Sequence, residues 1–466
     1  MPPAIAALLT VSFVAILFLR EATEKSKASG ALWLPVLWLA VTGSRFVSQW
    51  MSLGHETIDS GMEGSPVDAI YFSILILAGA AVLARRPVVM SVLLRNNAWL
   101  SAFLIYGCLA ILWSDFPFVA FKRWIKTLGH PIMALIILTD PDPANALRTV
   151  LKRCAYLLFP CSVLFIKYFP EFGRSFDPYT GAPVNRGIGL TKNDLGYLCW
   201  VFGLFFFWNV LTRNRIDNPR ARRVELVLSV GFLGMIGWLL DKAESATSIV
   251  ALALGTGTIV LLRSGIVSRR FVGTFFVVIL GAGIATELTF GVYAHLIEAL
   301  GRDPTLTDRT HVWTDAIALQ DNPIFGLGFE SFWLGTRVEV LWAKWWWRPI
   351  QAHNGYIETY LNLGGVGVFL LFGLLVSTFR KITRQLADNF DFACLRLAFL
   401  VAILAFNFTE AGFKAVHLVW TMFYIIAIDY PARSQTSERR VSAKAINTAS
   451  LRGGAGLRPA RGRGFW

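Results

Sequence analysis

The chain has few charged residues for its length. Only 16% of its 466 residues are Asp, Glu, Lys or Arg, whereas a soluble domain carries roughly a quarter. Hydrophobic residues make up 55% of the chain, and its mean hydropathy is +0.54. This shortage of charge, together with repeated apolar runs, excludes a water-soluble enzyme and a disordered protein.

Cysteine is also scarce, and its spacing offers no metal site. The five cysteines all lie within apolar runs, and no CxxC or Cys/His metal spacing occurs. Cys154 and Cys161 share a helix face, but seven residues of helix separate them by about 10 Å, too far for a disulfide. We interpret all five cysteines as packing residues.

Apolar runs long enough to cross a bilayer are abundant. A spanning helix needs about 20 apolar residues, and thirteen runs approach this length. They lie near 4–19, 31–48, 67–84, 98–113, 124–139, 150–168, 194–211, 224–240, 246–262, 271–289, 356–379, 392–409 and 415–429. The first run could pass for a signal peptide, but it lacks a basic start and a small-residue cleavage pattern, so we count it as a span. The runs predict an all-α polytopic membrane helix bundle with about 12–13 transmembrane helices.

Basic residues collect in alternate loops. The net charge of +14 could suggest nucleic-acid binding. With thirteen spans, however, the basic segments all fall on one side of the membrane, and the 49–66 loop on the other side has no Lys or Arg. These segments are 20–30, 85–97, 212–223, 263–270, 380–391 and the tail after Tyr430. The positive-inside rule makes that side cytoplasmic. We therefore predict a cytoplasmic C-terminus and no nucleic-acid partner.

The span pattern divides the chain into four regions. Residues 1–289 are predicted to form a transmembrane bundle of about ten spans, and 356–430 the C-terminal transmembrane helices. Between them, 290–355 is the longest non-apolar stretch, and a long structured loop is usually functional. The Gly/Arg-rich tail, 431–466, is predicted to be disordered and to contact anionic membrane lipid.

The 290–355 loop carries an ordered series of motifs. Turn and N-cap residues at 303–308 precede a short amphipathic helix that begins at Arg309. Asp321-Asn322-Pro323 ends that helix, Gly326-Leu-Gly328 forms a tight turn, and a Trp cluster at 342–347 follows. His353 then lies at the mouth of the next span.

This order of motifs resembles the O-antigen ligase-like family of bacterial membrane proteins, which includes O-antigen ligases and the polymerases of O-antigen and exopolysaccharide. The matching residues are Arg309, Trp313, Pro323, Gly326, Gly328, His353, Asn354 and the 362–367 stretch, and upstream Arg186, Gly189, Lys192, Asn193 and Gly196. Ser245-Ala-Thr247 looks like the family's entry motif, but it lacks the Arg that is often found there. The resemblance covers about residues 180–380.

The resemblance implies a multi-pass glycosyltransferase of the bacterial cytoplasmic (inner) membrane. It would move a glycan from a polyprenyl-diphosphate donor to a hydroxyl acceptor on the periplasmic face, where the 290–355 loop would lie. The acceptor would be lipid A–core in a ligase, or another lipid-linked glycan in a polymerase. A flippase and a chain-length regulator are the further partners implied.

The residue types permit this chemistry. His353 is the predicted base, because imidazole exchanges a proton near neutral pH. Arg309, with Arg186 and Lys192, is predicted to hold the diphosphate, since guanidinium pairs with phosphate oxygens in a fork. Fixed cations would stabilise the departing diphosphate, so we predict an inverting transfer that needs no metal and no cofactor.

Three further residues complete the predicted substrate site. Asn354 is predicted to orient His353, and Asn193 to bind glycan or phosphate. Trp313 belongs to the family signature, and the resemblance implies that it lies in the substrate site.

Other interpretations of these residues stay open at this stage. His353 could be a capping residue, the arginines could bind lipid phosphate, and the Trp cluster could be an interfacial belt rather than a sugar platform. Glu410, near the end of a span, could be functional or could simply pair with Lys414. Asp140-Pro-Asp142 is interpreted as a cytoplasmic turn rather than a metal-binding motif.

The alternative function is a polytopic transporter or flippase of lipid-linked glycans. Such a protein predicts charged or unwound residues at mid-membrane and repeat symmetry between its halves. The polar residues of this chain concentrate in the predicted outer loops instead, which favours the enzyme.

Overall fold

The computed structural model describes residues 1–23, 29–51, 64–177, 181–215, 218–268, 271–275, 278 and 309–430. The predicted turns at 303–308, most of the 271–289 run and the 431–466 tail lie outside the described residues. The division into four regions therefore stays a prediction.

The described chain is almost entirely helical. Its first ten α-helices are α1 (Pro3–Thr23), α2 (Trp33–Thr42), α3 (Val47–Met51), α4 (Pro66–Ala84), α5 (Met90–Asn96), α6 (Ala98–Leu109), α7 (Pro117–Thr127), α8 (Gly129–Leu138), α9 (Pro143–Tyr168) and α10 (Pro170–Gly173). The next eight are α11 (Lys192–Thr212), α12 (Pro219–Ala243), α13 (Ala246–Ser264), α14 (Arg309–Ala318), α15 (Thr336–Lys344), α16 (Gly355–Asp388), α17 (Phe390–Thr409) and α18 (Leu418–Ala427). Short 3₁₀ turns occur at Gly30–Leu32 and Arg213–Arg215, and the strands β1 (Arg174–Phe176) and β2 (Pro183–Asn185) form an antiparallel pair.

Eight of these helices are long and apolar enough to cross a membrane: α1, α4, α9, α11, α12, α13, α16 and α17. Each coincides with one of the thirteen apolar runs, which confirms an all-α polytopic bundle. Four other runs become shorter or broken helices. The 98–113 run forms α6, which bends by 93° from α5, and the 31–48 and 415–429 runs give the short helices α2 and α18. The 124–139 run is divided between α7 and α8.

The core of the bundle lies around three spans. Within their apolar windows, 83% of α11, 72% of α17 and 67% of α9 is buried, against 11% of α1 and 22% of α4. Helix α17 packs against both α13 and α16. The central position of α17 matters for function because its C-terminal end carries the site described below.

Polar caps define where the spans near the site begin. Helix α11 starts with a capping box, in which the Thr191 side chain accepts from the Asp194 N–H and Asp194 accepts from the Thr191 N–H. Helix α16 is capped by Asn354, which accepts from the N–H groups of Tyr356 and Ile357. Both helix starts also contact the end of α17, because Asn193 donates to Glu410 and Asn354 donates to the Phe408 carbonyl oxygen.

Candidate active site

Glu410 follows the last residue of α17 and binds three side chains from other parts of the chain. His353 Nδ1 lies 3.1 Å from Glu410 Oε2, and the Arg309 guanidinium lies 3.1 Å from Oε1. Asn193, in the first turn of α11, donates to Oε1 at 2.8 Å. We name these four residues the Glu410 cluster. Three of them were predicted as site residues from the sequence, and the structure brings them together on one carboxylate.

The end of α17 also holds the backbone of the loop. Arg309 donates to the Thr409 carbonyl oxygen, Asn354 Nδ2 donates to that of Phe408 at 2.9 Å, and the Gly355 N–H donates to that of Glu410 at 3.2 Å. The Thr409 and Thr247 hydroxyls lie 2.7 Å apart, which places the Ser245-Ala-Thr247 motif beside the cluster. The C-terminal end of α17 therefore contacts the N-terminal ends of three helices, α13, α14 and α16.

His353 has a left-handed backbone, with φ = +51°. Non-glycine residues rarely adopt this conformation, and it persists only where the surroundings hold it. The neighbouring Ala352 is held on both sides, because its carbonyl oxygen accepts from Trp313 Nε1 at 2.6 Å and its N–H donates to Glu358 at 2.5 Å. These contacts and the Asn354 cap aim the imidazole at Glu410.

Two residues that were not predicted as site residues, Gln351 and Lys414, complete the surroundings of the imidazole. The Gln351 amide nitrogen lies 3.3 Å from His353 Nδ1 and 3.4 Å from Nε2. Lys414 donates to the side-chain amide oxygen of Gln351, Oε1. Helix α17 ends at Thr409, so Glu410 and Lys414 are not one helical turn apart. The alternative in which Glu410 pairs with Lys414 is therefore wrong, because Glu410 binds the loop instead.

The charges of the cluster favour a neutral imidazole and an ionised carboxylate. Burial alone raises the pKa of a carboxyl, but the charges and hydrogen bonds of His353 and Arg309 outweigh burial and hold the Glu410 pKa well below its usual value. Burial lowers the pKa of His353; Arg309 and Lys414 lower it too, while Glu410 opposes them. A neutral imidazole at pH 7 can accept a proton.

The glycine motifs dock the loop onto a break in α16. At Gly364 the helix backbone turns to φ = +63°. There the Gly365 N–H donates to the Pro323 carbonyl oxygen at 2.8 Å, and the Gly328 N–H donates to that of Asn362 at 3.0 Å. A Cβ on Gly326 would lie 2.4 Å from the Asn362 carbonyl oxygen, so only glycine fits. The predicted Gly326-Leu-Gly328 turn and the 362–367 stretch thus form one backbone seam.

The other predicted cations lie outside the cluster. Arg186 donates to the carbonyl oxygens of Phe172 and Glu171, both at 3.2 Å. Lys192 pairs with Asp177 at 3.0 Å, although the next residue, Asn193, contacts Glu410. Both cations are held by the segment that contains β1 and β2, on the same side of α11 as its N-terminus.

Some predicted residues have structural contacts. Asn354 is 4% exposed and uses its amide for the α16 cap and for Phe408, so Glu410 rather than Asn354 contacts the His353 imidazole. Trp313 holds the Ala352 carbonyl oxygen. Asp142 caps α9, and Asp140 lies 3.8 Å from Arg86, which agrees with a turn.

The Trp cluster is held within its own loop. Lys344 lies over the Trp345 ring, and Arg348 lies over that of Trp342. Trp345 Nε1 also donates to Asp315 at 2.9 Å, which joins the cluster to α14.

Residues 232–372 match the family model described as O-antigen ligase. This region runs from α12 into α16 and contains Arg309, the glycine seam and His353. The chain is 28% identical over 310 residues to the exopolysaccharide production protein ExoQ of Rhizobium meliloti (strain 1021), covering 63% of this chain and 67% of that protein.

Two Rickettsia proteins, each named as a candidate polysaccharide ligase, are also similar. The protein of Rickettsia felis is 25% identical over 204 residues, and that of Rickettsia conorii is 24% identical over 190 residues. The matches cover 40% and 37% of this chain, and 47% and 44% of those proteins. Together with the helix bundle and the ordered loop motifs, these matches show that the chain is similar to the O-antigen ligase-like family of polytopic membrane proteins.

Proposed function

We propose that this protein is a membrane glycosyltransferase that moves a glycan from a polyprenyl-diphosphate donor to a hydroxyl acceptor. The family supports glycan transfer in the membrane, and the Glu410 cluster supports the reaction. The observation that carries the proposal is the contact of His353 and Arg309 with the same carboxylate. A base and an anion-binding group therefore lie side by side, as a transfer from a diphosphate requires.

His353 acts as the base in this reaction. The acceptor hydroxyl gives its proton to the imidazole nitrogen that does not contact Glu410, while its oxygen attacks the anomeric carbon. The bond from that carbon to the phosphate oxygen breaks, and the diphosphate leaves with the electron pair. A single displacement of this kind inverts the configuration at the anomeric carbon.

Arg309 holds the leaving diphosphate. Its contacts with Thr409 and Glu410 leave further N–H donors of the guanidinium, which has five, for phosphate oxygens. Arg186 and Lys192 extend this cationic surface toward the lipid-linked diphosphate. The cations neutralise the charge that develops as the donor bond breaks, so no metal ion is required.

The direction of the helices supports a periplasmic site. Helix α11 begins beside the Glu410 cluster and ends at Thr212, next to the basic 212–223 segment, and α16 runs from the cluster toward the basic 380–391 segment. The cluster and the basic segments therefore lie at opposite ends of these helices. Because basic segments are retained in the cytoplasm, the cluster faces the periplasm of a bacterial inner membrane.

Both polymerisation and ligation are compatible with the names of the relatives, since one is an exopolysaccharide production protein, whereas the family model and the two Rickettsia proteins are named as ligases. In a polymerase the acceptor is a sugar hydroxyl of another lipid-linked glycan, whereas in a ligase it is a sugar of lipid A–core. Purified protein in nanodiscs, given a lipid-linked donor and each acceptor in turn, distinguishes the two. Movement of the donor across the bilayer without transfer to either acceptor would favour a flippase.

The same assay tests the chemistry. Transfer should continue in excess EDTA, and the product should have the opposite anomeric configuration to the donor when both are compared by NMR. Loss of transfer in EDTA that a divalent ion restores would contradict a metal-independent reaction. Retention of configuration would contradict a single displacement.

Reporter fusions test the orientation. An alkaline phosphatase fused after Gly335 should be active because that loop position would be periplasmic, whereas a fusion after Arg215 should be inactive. The reverse pattern would place the cluster in the cytoplasm and would contradict the proposed site.

A further inference from the structure

Glu410 lies where it can control both functional groups of the site. Its Oε2 faces His353 and its Oε1 faces Arg309, so one carboxylate fixes the separation between the predicted base and the predicted diphosphate ligand. Asn193 donates to Oε1 as well, which holds the carboxylate in this orientation from the side of α11. The Glu410 side chain is 10% exposed, so water competes little for these contacts.

The carboxylate also decides which imidazole nitrogen carries the hydrogen. An ionised carboxylate can only accept hydrogen bonds. At 3.1 Å from Glu410, His353 Nδ1 must therefore be the donor, and in a neutral imidazole the remaining nitrogen, Nε2, is then the acceptor. Only this tautomer presents a lone pair away from Glu410, toward a hydroxyl that has to lose its proton.

We propose that Glu410 is a positioning residue of the transfer reaction: it holds His353 as the Nδ1–H tautomer and holds Arg309 beside it. This inference rests on the proposed function, because it assigns to Glu410 the task of orienting the base and the diphosphate ligand named there. Glu410 itself touches neither the donor nor the acceptor.

The charges around the imidazole give the proposal a measurable signature. The charged groups that act on His353 are Glu410 at the end of α17, Arg309 at the start of α14 and Lys414 in the segment after α17. Glu358, in the first turn of α16, which follows His353, accepts from the Ala352 N–H and from Trp333 Nε1. Burial, Arg309 and Lys414 lower the pKa of His353, and only Glu410 among these causes raises it. Removing the charge of Glu410 must therefore lower that pKa further.

Glu410→Gln keeps the shape of the side chain and removes its charge. The single-turnover rate of the full-length protein in nanodiscs should be measured against pH with saturating lipid-linked donor. A base works when deprotonated, so the wild-type rate should rise with pH through the pKa of His353 to a plateau. In Glu410→Gln the plateau should fall by up to about 10⁴-fold, the loss caused by replacing the carboxylate that orients a catalytic His with its amide. The rising part of the pH–rate profile, which we call the acid limb, should also move to lower pH.

Glu339→Gln is the matched control, because Glu339 is an exposed glutamate of α15 in the same loop. It should keep the wild-type plateau and the wild-type limb. A Glu410→Gln protein with a lower plateau but an unmoved limb would show a structural role only and would overturn the proposal. Wild-type behaviour of Glu410→Gln would overturn it as well.

Two further variants make the outcome unambiguous. If Glu410→Gln does not fold, Glu410→Asp keeps the charge and should lower the plateau while leaving the limb near its wild-type position; a limb displaced to lower pH would overturn the proposal.

His353→Ala separates the role of Glu410 from the role of the base. If His353→Ala is inactive while Glu410→Gln behaves as wild type, only the role of Glu410 fails. If His353→Ala itself transfers at the wild-type rate, the assignment of His353 as the base fails, and the role of Glu410 fails with it. If the wild-type protein transfers no glycan, the proposed function fails.

Discussion

Two groups of polar residues lie near the N-terminus of α11, and they are built differently. The Glu410 cluster joins residues that are far apart in the sequence: His353 and Glu410 are separated by 57 positions, and Asn193 and Glu410 by 217. The Arg186–Lys192 segment is local, since Arg186 binds carbonyl oxygens 14 and 15 positions away and Lys192 binds Asp177. Arg309 of the cluster was predicted to hold the same diphosphate as Arg186 and Lys192.

The difference indicates that the two groups have different roles. The cluster is largely buried, and its carboxylate is needed to balance Arg309 and to orient His353, so each member depends on the others. The Lys192 side chain is 35% exposed, and its contact with Asp177 is of the surface type that contributes little. We therefore expect the chemistry to depend on the cluster, and the Arg186–Lys192 segment to adjust donor affinity.

The largest expected effect is that of His353→Ala. Without a base the acceptor hydroxyl must lose its proton to water, so the transfer rate should fall about 10²- to 10⁴-fold. The rate is measured by product formation from a lipid-linked donor, with thermal unfolding as the check that the variant is folded. Wild-type turnover would remove His353 from the mechanism.

Arg309→Ala should have the next largest effect, and on donor binding as well as rate. Loss of a charged hydrogen-bond donor costs roughly 1.5–3 kcal/mol, or about 10- to 150-fold in donor Kd. Arg309→Lys should restore part of the affinity, because a point charge cannot make the bidentate contact. Full recovery in Arg309→Lys, measured by titration of the donor, would argue against a forked contact with phosphate.

Gly326→Ala tests whether the cluster depends on the backbone seam. The added Cβ would lie 2.4 Å from the Asn362 carbonyl oxygen at a residue with φ = +77°. The unfavourable φ alone costs on the order of 1–3 kcal/mol, so Tm should fall and hydrogen exchange in 323–328 should accelerate. Gly231→Ala is the matched control, because a Cβ there has no heavy atom within 4 Å. Unchanged Tm and unchanged exchange in Gly326→Ala would show that the seam does not anchor the loop.

The smallest effects should come from Arg186→Ala and Lys192→Ala. Both side chains already have partners within their own segment: Arg186 donates to backbone carbonyl oxygens, and Lys192 forms an ion pair with Asp177 of the partly exposed kind that contributes about 0–1 kcal/mol. Donor Kd should rise by about fivefold or less, with little change in single-turnover rate at saturating donor. A loss as large as that of Arg309→Ala would erase the distinction between the two groups.

The local features of the site follow from the sequence. The amphipathic pattern after Arg309 predicted α14, which runs from Arg309 to Ala318, and the spacing of Gly326 and Gly328 predicted the turn. The position of His353 at the mouth of a span was also predictable, because the apolar run resumes directly after it. Such features depend on residues that are close together in the chain.

The partners of these residues could not be predicted in the same way. Asn193 and Lys192 are neighbours in the sequence, yet the first turn of α11 directs Asn193 to Glu410 and Lys192 to Asp177. From the sequence, Glu410 was a carboxylate near the end of an apolar run that could be functional. Its partners, however, depend on where α17 ends and on how α11, α14 and α17 pack. The lengths of the spans were equally unpredictable, because the composition of the sequence does not indicate the sharp bend between α5 and α6.

The most direct test of the account measures donor affinity and single-turnover rate in the same nanodisc preparation of His353→Ala, beside Arg309→Ala. We expect His353→Ala to bind the lipid-linked donor with nearly wild-type affinity but to transfer about 10²- to 10⁴-fold more slowly, whereas Arg309→Ala should lose affinity. A folded His353→Ala that no longer binds the donor would make His353 a donor ligand and would contradict its role as the base.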